Sequence, residues 1–280
     1  MREVNVSQIT EVVSALCVKA CCCLTDDVVS AFESGREHEK SVVGCSIFDI
    51  MLENAEIAKS SAIPACQDTG MAVCFIDIGQ ETALVGGDFE DAVNEGVRRG
   101  YVDGHLRLSV VNDPIRRVNT NDNTPAIIHT RIVPGDKISI TVAPKGFGSE
   151  NMSAMKMFKP SATQDDIVAF ITETVSNAGS NPCPPVIVGV GLGGTVEKAA
   201  LLAKRALLRT IPQKNEDDLY AKLETRALES VNTLGIGPQG LGGTVTALAV
   251  NIETYATHIA GLPCVVNMGC HITRHATQII

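Results

Sequence analysis

An α/β fold, with mixed sheets surrounded by helices and a helical N-terminal layer, is what this sequence predicts. Three observations carry that expectation. Residues 7–60 place apolar side chains at helical spacing; short runs rich in Val and Ile recur after residue 70; and those runs alternate with amphipathic stretches bounded by capping residues. A length of 280 residues, with 45% hydrophobic and 20% charged side chains, is enough to bury a full core. The chain is read as a single catalytic domain over 1–280.

Taken in order, "ITEVVSALCVKACCCL" and "SIFDIMLENAEIAKS" carry the helical period, and Asp26 and Asp27 restart a helix after a break near Thr25. "MAVCFIDI", residues 71–78, reads as a buried strand. "DFEDAVNEGVRRGY" follows as a helix whose acidic first turn suits the helix dipole. "PAIIHTRIV" and "KISITVAP" are β-rich, and the "PGD" between them, residues 134–136, predicts that they pair as a hairpin. "TQDDIVAFITETVSNAG" is a helix from a Thr163 cap to Gly179. "PPVIVGVGLGG" is a strand running into a glycine turn, and "TVEKAALLAKRALLR" is the helix after it. One more helix leads to the glycine-rich "LGIGPQGLGG", and strands are expected near 244–252 and 263–268.

The formal charge of −9 argues against nucleic acid as a partner, because such partners select basic faces. Trp is absent and aromatics make up 4% of the chain, so no stacking platform for bases or sugars is evident. The polar start "MREVNVSQ" does not read as a secretory signal, and no apolar run reaches membrane-spanning length. The expected location is the cytoplasm, where ten cysteines are metal ligands or core residues rather than disulfides.

Three of those cysteines share a context. Cys66 in "PACQDTG", Cys183 in "NPCPP" and Cys270 in "NMGCHITRH" each stand beside Pro or Gly among polar residues, at the end of an expected strand. Their wide separation gives no local chelate spacing, but an open loop with backbone amides nearby suits a ligating thiolate. Cys17, Cys21, Cys22, Cys23, Cys45, Cys74 and Cys264 sit in apolar runs and read as packing residues. "GVGLGG", through Gly189, Gly191 and Gly194, matches the dinucleotide fingerprint and opens a rival reading as a nucleotide-binding oxidoreductase. No acidic strand end follows at the ribose-binding distance. "APKGFGSENMS" is a second glycine turn, able either to hold an anion on its N–H groups or simply to turn the chain. Lone histidines such as His258 are more often structural than functional. Arg107 and Arg274 are the arginines nearest these motifs, of the kind that clamp a carboxylate.

The stretches "IPACQDTGMAV", "NTNDNTPAIIHT", "APKGFGSENMSAMKM", "NPCPPVIVGVGLGGT", "LGIGPQGLGG" and "THIAGLP…NMGCHITRH" resemble the alpha subunit, or N-terminal catalytic region, of the class I iron–sulfur fumarases and the related L-tartrate dehydratases. The resemblance implies that Cys66, Cys183 and Cys270 ligate a 4Fe–4S cluster. It also implies that Gln67, Arg107 and the Gly148 amide bind substrate, with Asp68 and His258 handling the proton. It further implies a hydro-lyase that interconverts malate and fumarate, or one that dehydrates tartrate. Longer members of the family carry a second domain with further arginines, a lysine and a threonine as carbon-acid base. The resemblance therefore implies a separate beta subunit, in an assembly of two alpha and two beta chains, and little activity without it.

Overall fold

The computed structural model describes residues 1–280, which divide into two compact units, each discontinuous in sequence. The first contains Met1–Thr25, Ala55–Gly146 and Arg274–Ile280; the second contains Asp26–Asn54 and Phe147–Thr273. No helix is long and apolar enough to cross a membrane.

The first unit is built on strands β2 (Met71–Gly79), β4 (Ile127–Val133), β5 (Ile138–Lys145) and β10 (Ala276–Ile279), in the order β10-β5-β2-β4. Helices α1 (Val6–Cys22) and α4 (Phe89–Val102) pack together, and α1 also lies against β5. A two-stranded parallel ribbon joins β1 (Arg2–Asn5) to β3 (Thr82–Val85). Ile9, Val13 and Leu16 of α1 meet Cys74, Ile76, Ile138 and Ile140 of the sheet in one core. Asp88 caps α4 by accepting from the Asp91 amide, as the acidic start of that segment predicts.

The expected hairpin does not form. β2 lies between the two segments, parallel to β4 and antiparallel to β5, so Phe75 stands opposite both His129 and Thr141. The reason is burial: five successive residues of β2, Ala72–Ile76, are buried, whereas β4 is largely exposed, as suits an edge. The Pro134–Asp136 turn wraps the far end of β2 instead. Gly79 and Gln80 donate to the carbonyls of Lys137 and Val133 at 2.8 Å each, and a Cβ on Gly79 would lie 2.4 Å from the Gly135 oxygen.

In the second unit, β6 (Ala154–Phe158), β7 (Val186–Gly193), β8 (Ala247–Tyr255) and β9 (Leu262–Gly269) form a mixed sheet in the order β6-β9-β7-β8. Alternate residues of β7 serve opposite faces, as the strand period requires. Val186, Val188, Val190 and Leu192 join a core with α6 (Gln164–Ala178) and α8 (Asp218–Asn232). Gly189 and Gly191 face α7 (Val196–Ala206), where added Cβ atoms would lie 2.2 Å and 1.9 Å from the carbonyl oxygens of Ala203 and Ala199. Gly189 and Gly191 thus lie within the strand and let a helix approach its backbone, while Gly194 follows the strand with φ +71°. Thr163 forms the expected capping box with Asp166, and α6 ends at Gly179. The second unit also holds α2 (Asp26–His38) and a short helical turn, α5 (Phe147–Glu150); α3 (Val42–Ser61) starts in this unit and runs into the first. The N-terminal helical layer and the mixed α/β class are as the sequence predicts; the short strands β1, β3, β6 and β10 were not foreseen.

Candidate metal centre and active site

In the first unit the candidate site is the turn Ala65–Gly70. Pro64 and Gly70 break the chain on either side, and Gly70 is required there. Its φ is +73°, and a Cβ would lie 2.5 Å from the Lys145 carbonyl carbon. Ala65 N–H donates to the Cys21 carbonyl at 3.0 Å, and Gly70 N–H donates to Asp68 Oδ1 at 3.0 Å. Cys66 and Asp68 are half-buried and Gln67 is exposed, so thiol, carboxylate and amide share one accessible rim; Cys66 Sγ lies 3.5 Å from Gln67 Oε1.

Side chains fix this turn from below. Thr69, buried to 2% exposure, accepts from the Arg107 amide at 2.9 Å and donates to the Arg107 carbonyl at 3.2 Å. Arg107 is thereby held beside the turn with its side chain exposed. Tyr101 Oη donates to the Thr69 carbonyl at 3.0 Å, and Asn123 Nδ2 to the Gly70 carbonyl at 3.1 Å. Arg274, 4% exposed, donates to the Asp68 carbonyl. Gly146 has its Cα against the Asp68 carboxylate, where a Cβ would come within 3.0 Å of Oδ2.

In the second unit, Cys183 is exposed, has φ +54°, and donates its amide to the Ser180 carbonyl at 2.9 Å. Cys270 is half-buried, immediately after β9. The two cysteine loops are joined: His271 N–H donates to the Cys183 carbonyl at 3.2 Å, and its Nδ1 lies 3.1 Å from the same oxygen. Gln239, from the glycine-rich loop, donates its amide at 2.7 Å and its Nε2 at 3.0 Å to the Pro184 carbonyl. Gly148 belongs here too, since a Cβ on it would lie 3.4 Å from the Asn181 carbonyl. Its turn is braced by Glu150, which accepts from Lys204 Nζ at 2.5 Å and from Asn267 Nδ2 at 2.9 Å.

The structure therefore gathers Cys66, Gln67, Asp68 and Arg107 in one unit, and Gly148, Cys183 and Cys270 in the other. His258 occupies the exposed loop after β8, where Nδ1 accepts from the Ala260 amide at 3.1 Å, and no hydrogen bond ties it to the two cysteine loops. Asn123, Gln239 and Glu150 were missed at the sequence level. Asn123 and Gln239 adopt φ of +62° and +53°, and the only advance signal is their setting in "NDNTP" and "GPQGL".

The donor chemistry separates the ten cysteines. Burial pushes the thiols of Cys21, Cys74 and Cys264 up to about 12 and that of Cys17 well above its ordinary value; burial also raises Cys22. Such thiols stay protonated and make poor ligands. Cys23 and Cys45 are half-buried; Cys23 ends α1 and Cys45 lies in α3, its Sγ donating to the Glu39 carbonyl. Cys66, Cys183 and Cys270 combine access with an irregular loop among polar residues, whereas Cys23, also half-buried and outside a helix, caps α1. No three His, Cys, Asp or Glu side chains converge tightly enough for a single metal ion. A cube-shaped cluster binds each thiolate at a different iron and needs no such convergence. Three open thiols on loops tied by backbone bonds fit such a cluster in donor type.

Fold and site together define an α/β enzyme with loop-borne thiols beside a carboxylate. The model of the fumarate hydratase (Fumerase) family matches residues 10–279, and this chain belongs to that family. It is accordingly a hydro-lyase. A protein of Methanocaldococcus jannaschii, provisionally named L(+)-tartrate dehydratase subunit alpha, is 40% identical over 279 residues, covering 98% of both chains. The L(+)-tartrate dehydratase subunit alpha of Escherichia coli O157:H7 is 33% identical over 279 residues, covering 98% of this chain and 91% of that one.

Proposed function

We propose that this chain acts over residues 1–280 as the cluster-bearing alpha subunit of a hydro-lyase that reversibly dehydrates malate to fumarate in the cytoplasm. The observation that carries this reading is a family match over almost the whole chain, coinciding with three accessible loop cysteines among ten. Cys66, Cys183 and Cys270 would hold a 4Fe–4S cluster. When bound, it supplies an iron without a protein ligand, a Lewis acid for the substrate's hydroxyl and one carboxylate oxygen.

The protein's own groups do the rest. Arg107, held at its backbone by Thr69, pairs with a substrate carboxylate through its planar guanidinium. Gln67 and the Gly148 amide hydrogen-bond the diacid. Asp68 holds the proton delivered to the departing hydroxyl, and His258 pairs with it.

A beta subunit would supply the carbon-acid base and further cationic groups, in an assembly of two alpha and two beta chains. A second reading, L(+)-tartrate as the substrate, is favoured by the names of the relatives above. The test is anaerobic co-purification with the partner, assay on both acids, and iron and sulfide counting. Malate turnover, with cluster loss in Cys66→Ala, Cys183→Ala and Cys270→Ala but not in Cys17→Ala, is the expected result. Turnover of tartrate alone selects the second reading, and a cluster retained by all three variants overturns the ligand set.

A further inference from the structure

Arg274, one of the two arginines the sequence offers as a carboxylate clamp, is buried under the Cys66–Asp68 turn. At 4% exposure its guanidinium lies too deep to clamp a substrate carboxylate, and it donates instead to the Asp68 carbonyl. Cys21 and Tyr101 reach the same turn, both at the Thr69 carbonyl.

The geometry points to Arg274 as a positioning residue for the dehydration step, an inference that rests on the hydro-lyase reading above. A hydrogen bond to the Asp68 carbonyl fixes the plane of the Asp68–Thr69 peptide. The next peptide, Thr69–Gly70, is gripped at its carbonyl oxygen by Tyr101 and Cys21, whose donors reach it at 3.0 and 3.8 Å. With the peptide fixed, the Gly70 N–H to Asp68 Oδ1 bond sets where the carboxylate points. A charged donor such as this guanidinium holds geometry more firmly than a neutral one, because charge-assisted bonds are roughly twice as strong. Arg274 also precedes β10 by two residues, so pairing of β10 with β5 delivers it to this place. Removing it frees the carboxylate without removing any substrate contact.

The test uses the anaerobic complex of this chain with its partner, carrying Arg274→Lys or Arg274→Gln. Expected are a fall in kcat of about tenfold for Lys and about a hundredfold for Gln, with KM for malate within threefold of wild type and iron content unchanged. Independently of cluster and turnover, amide hydrogen exchange in the apo chain should speed up at least tenfold at Thr69 and Gly70 in Arg274→Gln. The amides of β2 and β5 should stay protected, and Lys should restore part of the protection. A rise in KM at constant kcat would make Arg274 a substrate ligand and overturn the proposal; so would unchanged exchange at Thr69 and Gly70. Global loss of protection would make it merely structural. If the wild-type complex turned over neither acid, the hydro-lyase reading would fail, while the exchange result would still decide whether Arg274 orders the turn.

Discussion

The Cys66 turn of the first unit and the cysteine loops of the second are held by different means. Around Cys66, side chains reach in to carbonyl oxygens: Tyr101 to Thr69, Asn123 to Gly70, Arg274 to Asp68. Around Cys183 and Cys270, backbone meets backbone. His271 donates to Cys183, Cys183 to Ser180, and Gln239 to Pro184, while the supporting sheet lies so close to α7 that only glycine fits at two positions. The first arrangement can be taken apart one side chain at a time. The second resists deletion, since few side chains carry it, and instead fails on addition.

That contrast orders three expected effects. Gly191→Ala, in the second unit, should be the most damaging. Its Cβ would sit 1.9 Å from the Ala199 oxygen, so α7 must lift from the sheet, at a cost of about 3 kcal/mol or more. Denaturant unfolding would read this as a lower midpoint at unchanged slope. Tyr101→Phe, in the first unit, leaves the Thr69 carbonyl without its hydroxyl donor and should cost about 1–3 kcal/mol. A Tyr101→Phe loss equal to that of Gly191→Ala would break the comparison.

Glu95→Gln should be smallest. Hydrogen bonds from Arg98 and Arg99 at 2.6 Å hold the Glu95 carboxyl down to about 2, but its side chain is 35% exposed. Solvent screening limits the gain to less than about 1 kcal/mol. The folded value is lowered, so the contribution is present above the unfolded value of about 4.3 and is lost as pH falls toward 2. Melting temperatures of wild type and Glu95→Gln should therefore differ slightly at pH 7 and converge near pH 2.

Much of this architecture was legible because local chemistry dictated it. Thr163 and Asp166 close a capping box, Asp88 caps α4, and the Val and Ile alternation of β7 matches its two packed faces. The prominence of Cys66, Cys183 and Cys270 was legible for the same reason, since Pro and Gly beside a thiol predict a loop. Strand partnership was not, because the Pro134–Asp136 turn is compatible with a hairpin and with a chain that steps around β2. Competition for the central position decided it, and that depends on which strand loses most by exposure. Arg274 illustrates the same limit. Its type and neighbourhood suggest a carboxylate clamp, but the return of β10 to β5 fixes its depth.

The interleaving of the two units has a consequence for synthesis on the ribosome. β5 is translated early, yet its partner β10 emerges after all of Phe147–Thr273, on the order of ten seconds later at about 5–20 residues per second. Throughout that interval the nascent sheet has one edge open to mispairing with other chains. Its protection in the cell falls to whatever shields newly made polypeptides, not to the mature fold.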